Sequence, residues 1–423
     1  MKTLILILIA SASVLASDYY YPPTNSNEWE SISGEELGWN ETEKAALFDY
    51  LDTTGTKGFI ILVNGKIVIE EYFNDFDSTK NWYWASAGKT LTATMVGLAQ
   101  QEGLIEIESP TSDYLGAGWT NMELSKEKNI KIRHNLSMST GLDYNVDNLN
   151  CLEPECLNYL DEPGTHWFYY NAPYRLLLDV LDSVYDKRIN RVTNDLIGVK
   201  IGMGGFWLDY VRWGTARDLA RFGLFITADG KWEDVLELDG DYFAEMTNTS
   251  QEMNKSYGYL WWLNGKESYK LPSLNLEFNG PLVPTAPRDM YAALGKNDQK
   301  IYIVPSMNMT VVRIGNSAGE SLLAASSYDT QLWEKIMNML PTTNIESESV
   351  NFSIYPNPAK DILYIDTDEP YGSIRIFDLL GNKISESVFT KSINTESLLN
   401  GQYTIELVKH SGITERVKLV INK

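Results

Sequence analysis

Histidine and cysteine are both scarce in these 423 residues: the histidines are His134, His166 and His410, and the cysteines are Cys151 and Cys156. Three dispersed histidines are too few to expect a serine–histidine–acid triad, and they leave zinc without a ligand set. A metal is therefore not expected, and the serine chemistry read below requires no organic cofactor. Basic residues are also in deficit, with 35 Lys plus Arg against 57 Asp plus Glu and a net charge of −22. Such a surface repels phosphate backbones, which excludes nucleic acid as a natural partner. After the first sixteen residues no apolar run approaches the length of a bilayer span, so no transmembrane segment is expected in the mature chain.

What is present centres on Trp82-Tyr83-Trp84-Ala85-Ser86-Ala87-Gly88-Lys89. Leu91, Met95 and Leu98 follow at helical spacing and Gly103 offers a stop, which predicts a buried helix from about Ala87 to Gln101. Ser86 then sits at its N-terminal edge, and Lys89 lies three residues on over the same face. A serine hydroxyl needs a neighbour to take its proton as it attacks. Lysine can do so only when neutral, and burial among Trp84 and Met95 is expected to lower its pKa. The free N–H groups at the helix start suit a carbonyl oxygen turning negative. A second Ser-x-x-Lys, Ser125-Lys126-Glu127-Lys128, lies in a charged run and is expected to be a solvated surface turn.

Residues 1–16 combine Met-Lys, an apolar run and small residues before Ala16, the pattern of a cleaved secretory signal. In an exported chain Cys151 and Cys156 are expected to close a small disulfide loop. Residues 57–63 and 66–72 flank Asn64-Gly65 and predict a hairpin. Residues 130–142 predict a short helix ending at Gly141, residues 213–223 a helix ending at Gly223, and Tyr257-Gly258-Tyr259-Leu260-Trp261-Trp262-Leu263 an aromatic strand. Three strands are expected over 290–295, 299–305 and 309–314, where Gly295 marks either close approach by a ligand or a bulge. Strands, a helical middle and strands again give an α+β layout. In Phe168-Tyr169-Tyr170-Asn171 the alternation lets Tyr169 and Asn171 point the same way. A phenol near Ser86 and Lys89 relays a proton, and the Asn171 amide binds substrate or orients Lys89.

Together these residues resemble the penicillin-recognising serine hydrolases, the superfamily of class C β-lactamases, D,D-peptidases and esterases. Ser86-Ala87-Gly88-Lys89 is similar to its first motif and Tyr169-Tyr170-Asn171 to its second. Arg133 to Leu142, Ala216 to Gly223 and Tyr257 to Trp262 also look familiar, and the likeness spans residues from about 40 to 340. The resemblance implies a β-lactamase-like antiparallel sheet flanked by helices, with an all-helical lobe. It also implies acylation of Ser86, proton transfer by Lys89 and Tyr169, and an oxyanion hole from the backbone N–H groups of Ser86 and Lys296. The family's usual Lys-Thr-Gly or His-x-Gly is replaced by Ala293-Leu294-Gly295. Without that cation the chain is closer to the 6-aminohexanoate-oligomer hydrolase and esterase branch, which cleaves linear amides or esters, although Lys296 is a candidate displaced cation. The alternatives are a β-lactamase or D-Ala-D-Ala carboxypeptidase and, from another class, an inactive peptidoglycan- or ligand-binding module.

The texture changes after Leu340. A polar linker at 341–350 precedes short alternating segments at 352–359, 374–378, 398–403 and 417–421, with Gly381 between them, which predict a small β-sandwich. Residues 351–423 resemble the C-terminal sorting domain of the type IX secretion system of Bacteroidetes. The resemblance implies the type IX machinery as a partner and a destination at the cell surface or in the medium.

Overall fold

The computed structural model describes residues 19–272, 274, 276–319, 327–341, 352–367, 369–377, 383–398, 401–409, 414–421 and 423. The expected signal at 1–16, the linker from 342 onward, and Asp378, Gly381, Leu399 and Asn400 of the expected tail lie outside the described residues. The chain forms two compact units, Met1–Leu340 and Pro341–Lys423.

In the first unit, helix α1 (Glu41–Thr53) starts at Asn40, whose side chain accepts from the Thr42 and Glu43 amides. It leads into strands β1 (Thr56–Val63) and β2 (Lys66–Tyr72). Their Asn64-Gly65 turn has φ values of 49° and 80°, a left-handed pair that these two residues accept readily, and the expected hairpin forms. The chain then leaves the sheet for a mainly helical stretch containing α2 (Gly88–Gln101), α3 (Ala172–Tyr185) and α4 (Ala216–Thr227). It returns as β3 (Trp262–Leu263), β4 (Tyr291–Gly295), β5 (Gln299–Val304) and β6 (Met309–Gly315), and closes with α5 (Ser327–Met339). The antiparallel sheet has the order β2-β1-β6-β5-β4-β3, with Ile60 of β1 opposite Val312 of β6.

Side chains alternate across a strand, so β5 shows what covers each face. Tyr302 packs edge-on against Trp333 of α5 at 5.5 Å, and Lys300 meets Asp329 of α5 at 2.9 Å. Ile301 points to the other face, under α4. Gly223 lies inside α4 rather than at its end. A Cβ there would come 2.4 Å from Thr310 Cγ2, so the missing side chain lets the helix lie on the sheet. Arg217 of α4 holds Glu70 of β2 with two 2.7 Å bonds, and Arg221 donates to the Ile201 carbonyl at 2.9 Å.

Three further expectations are corrected. The helix predicted over 130–142 spans only Ile132–Leu136, because Met138 turns left-handed with φ 57°, well before Gly141. Of the aromatic run 257–263 only Trp262–Leu263 pairs in the sheet. Leu260 sits in a left-handed turn, although Tyr257, Tyr259 and Trp261 are all buried. The Ser125 to Lys128 stretch carries a short helix, Leu124–Glu127, with Glu127 fully buried. Its carboxylate accepts from the Gly118 and Thr120 amides and the Thr120 hydroxyl, which offsets the loss of water.

The second unit is a small sandwich of two antiparallel sheets. One orders strands 352–355, 362–367 and 392–394; the other orders 383–388, 371–377, 401–409 and 414–421. Leu363, Ile365, Ile374, Ile376, Ile405, Leu407 and Leu419 fill the space between them.

Candidate active site

Helix α2 is buried on every side from Gly88 to Ala99. The chain enters it sharply. Trp82–Tyr83 pairs with Val211–Gly214, Ala85 then adopts φ 47°, and a single 3₁₀ turn, Ala85–Ala87, carries Ser86. A left-handed alanine costs about 1 kcal/mol, so the surrounding pairing must hold the turn in place.

Lys89 reaches back from the first turn of α2. Its Nζ lies 2.9 Å from Ser86 Oγ and 2.8 Å from Asn171 Oδ1, and the residue is 2% exposed. The rings against the amine are Tyr174, at 4.1 Å from the ring centre, and Tyr169, at 5.0 Å. Trp84 and Met95, expected there, instead pack on Phe222 and accept from the Thr193 hydroxyl respectively. Burial first, and the nearby Arg175 charge second, push the Lys89 amine well below its ordinary range.

Tyr169 is also buried, its ring held by Trp262 at 5.4 Å and Tyr257 at 6.1 Å. Burial raises its phenol above the ordinary range, while a hydrogen bond with Ser86 pulls the other way. Asn171 stands directly before α3, whose Pro173 fixes the first helical turn.

Gly295 ends β4 in regular register opposite Gln299, with φ −116°, so no bulge is present. A Cβ there would come 2.5 Å from the Trp84 carbonyl oxygen and 3.1 Å from the Ala87 amide nitrogen. The close approach is thus by the protein's own Ser86 turn. Gly295→Ala is expected to push β4 off that turn, costing about 1–3 kcal/mol of stability, and to cut turnover at least about tenfold. Thermal melts and ester assays on the same preparation check both effects. Lys296 follows with an exposed side chain at the head of a short turn. Asn297 of that turn donates to the Tyr83 hydroxyl at 2.7 Å, and Gln299 donates to the Asn297 carbonyl at 2.6 Å. Ala293 is fully buried.

The structure therefore brings Ser86, Lys89, Tyr169, Asn171 and Gly295 to one place. Sequence reading missed Tyr174, Arg175 and Asn150. A lone arginine inside the apolar run of α3 was the available signal for Arg175. Its guanidinium donates to the Asn150 carbonyl at 3.0 Å. Cys151 and Cys156 form a disulfide immediately after Asn150.

The described histidines serve elsewhere. His134 accepts from the Lys131 amide at 3.0 Å and is pushed down to about 4 mainly by burial, and His166 stacks on Tyr144. Gly315-Asn316-Ser317-Ala318-Gly319 has the Gly-x-Ser-x-Gly spacing of a nucleophile elbow. Its serine hydroxyl donates to the Gly319 carbonyl at 2.7 Å inside an exposed turn.

Residues 47–329 match the family profile described as Beta-lactamase. The chain belongs to the beta-lactamase family. Residues 353–422 match the secretion system C-terminal sorting domain, so this family member carries a type IX sorting tail that directs it to the cell surface or medium. An uncharacterized protein of Alkalihalophilus pseudofirmus is 23% identical over 313 residues, covering 64% of this chain and 86% of that one. Among solved structures, a candidate 6-aminohexanoate-dimer hydrolase from Bacillus anthracis superposes with a TM-score of 0.58 at 17% identity, covering 76% of this chain and 90% of its own. A candidate beta-lactamase from Bacteroides dorei gives 0.56 at 16%, covering 71% and 99%, and a family VIII carboxylesterase 0.54 at 15%, covering 74% and 100%. These likenesses share the fold. This beta-lactamase-family chain is a secreted hydrolase.

Proposed function

We propose that the chain is a serine hydrolase of amides or esters that works through a Ser86 acyl-enzyme. The observation that carries this reading is the 2.9 Å contact between Ser86 Oγ and a buried Lys89 amine whose pKa is driven down. A neutral amine accepts the serine proton as Oγ attacks the substrate carbonyl carbon. The backbone N–H groups of Ser86 and Lys296 hold the developing oxyanion. The carbon–nitrogen or carbon–oxygen bond then breaks, and the proton reaches the leaving group through the Tyr169 hydroxyl. Water releases the acid by the reverse traffic. The assignment of base and relay follows from the opposite shifts. Lys89 is lowered toward neutrality, whereas Tyr169 is raised and stays a phenol that can donate.

The substrate reading rests on Ala293, which puts an apolar, buried side chain where a carboxylate-binding cation is usual. Linear esters and amides are preferred over β-lactams on that ground. The test is intact mass after a fluorophosphonate, with Ser86→Ala alongside, followed by p-nitrophenyl esters and nitrocefin. A single adduct lost in Ser86→Ala, with ester turnover and little nitrocefin turnover, is expected. Fast nitrocefin turnover would overturn the substrate reading, and no adduct at all would overturn the enzyme reading in favour of a binding module.

A further inference from the structure

Asn171 has two faces, and only one of them touches Lys89. Its Oδ1 accepts from Lys89 Nζ at 2.8 Å, while its Nδ2 donates to Asn150 Oδ1 at 2.6 Å. An amide turned by half a revolution would present Nδ2 to the lysine instead and compete with Ser86 for the amine's lone pair. Something must hold the amide in the first orientation, and Asn150 supplies the acceptor that does so.

Asn150 is itself exposed, and an exposed side chain keeps one geometry only if its backbone is held. Three bonds do this. The Asn150 carbonyl accepts from Arg175 Nη1 at 3.0 Å, and the Asn150 amide donates to Asn148 Oδ1 at 3.0 Å. The next residue, Cys151, is tied by its disulfide to Cys156. Leu157 follows Cys156 and is 1% exposed, packed in a cluster with Tyr170, Ala172 and Leu176 around the start of α3. The disulfide thus ties the residue after the exposed Asn150 to the residue before the buried Leu157, beside the helix that carries Asn171 and Arg175.

We propose that Asn150 is a positioning residue for the Ser86–Lys89 pair, acting through the Asn171 amide, and that the Cys151–Cys156 bond keeps it in register. This rests on the serine hydrolase reading above. The groups facing the Lys89 amine are Ser86 from its own turn, Tyr169 and Asn171 from the segment ahead of α3, and Tyr174 and Arg175 from α3. Removing the Asn150 acceptor frees Asn171 to offer Nδ2, which favours the neutral amine but occupies its lone pair. A carboxylate at position 150 keeps the acceptor and adds a negative charge, which favours the ammonium.

The test is the pH profile of p-nitrophenyl butyrate hydrolysis by the full chain. Asn150→Ala is expected to lower kcat about tenfold with little change in KM and to move the acid limb to lower pH. Asn150→Asp is expected to move the same limb to higher pH and to keep more of kcat than Asn150→Ala. The paired Cys151→Ser and Cys156→Ser variant is expected to follow Asn150→Ala in direction with a smaller fall. Limbs that stay in place in both Asn150 variants, or that move together, overturn the proposal. Fluorophosphonate labelling of the unaltered chain separates the two failures. If Ser86 does not label, the hydrolase reading falls; if it labels and the limbs do not move, only the role of Asn150 falls.

Discussion

Ser86→Ala is expected to lower ester turnover at least about ten-thousandfold while leaving the fold in place. The substitution removes one hydroxyl that bonds to Lys89 and Tyr169 and no apolar packing. Its effect on stability should stay within about 2 kcal/mol, the usual worth of two such bonds. Turnover and a thermal melt on one preparation check this. A variant that keeps more than about a hundredth of the activity would show that another group is the nucleophile. Ser317 is the first to examine, because it has the spacing of a nucleophile elbow.

Lys89→Met is expected to lower activity by about a thousandfold or more, since it deletes the amine bonded to the serine. Its effect on stability should have the opposite sign. Lys89 in the folded chain titrates well below the ordinary lysine value, so between the two values the unfolded chain binds more protons than the folded one. Stability then rises with pH through the window from the lowered folded value up to the ordinary unfolded value of about 10.4. Below that window the buried amine costs the fold its full penalty. Methionine has a similar volume and carries no charge, so it removes both the penalty and the slope. Lys89→Met is expected to be on the order of 1–2 kcal/mol more stable than the parent at pH 7, with the gap closing toward pH 10. Urea unfolding at several pH values measures it. A gap that stays constant with pH would mean that the amine is charged when folded.

The sequence was informative where local chemistry decides the outcome. The Asn64-Gly65 hairpin, the α2 segment, the three consecutive strands β4 to β6 and the alternating tail strands all follow from spacing and turn residues. It was less informative where tertiary contact decides. Gly223 reads as a helix stop, and only the close approach of Thr310 explains why α4 continues through it. Glu127 reads as a solvated charge, and only the amides of Gly118 and Thr120 explain its burial. Gly295 offered two readings, a ligand or a bulge, and the neighbour proved to be the chain itself at Trp84. In the site, Ser86, Lys89, Tyr169 and Asn171 were legible because two short motifs carry them. Asn150 and Tyr174 carry no motif. They meet the site through one bond and one ring face, which no periodicity announces.

Strand β1 is made early and its partner β6 late, with the whole mainly helical stretch between them. Gly295, which closes on the Ser86 turn, belongs to the same late group. A growing chain that has not reached Met309 has nothing to complete its central sheet, and long-range pairing of this kind is slow to form. The proposed Ser86–Lys89 pair thus depends on both ends of the first unit: a chain that stops before Met309 carries both residues but lacks the strand that pairs with β1 and completes the sheet.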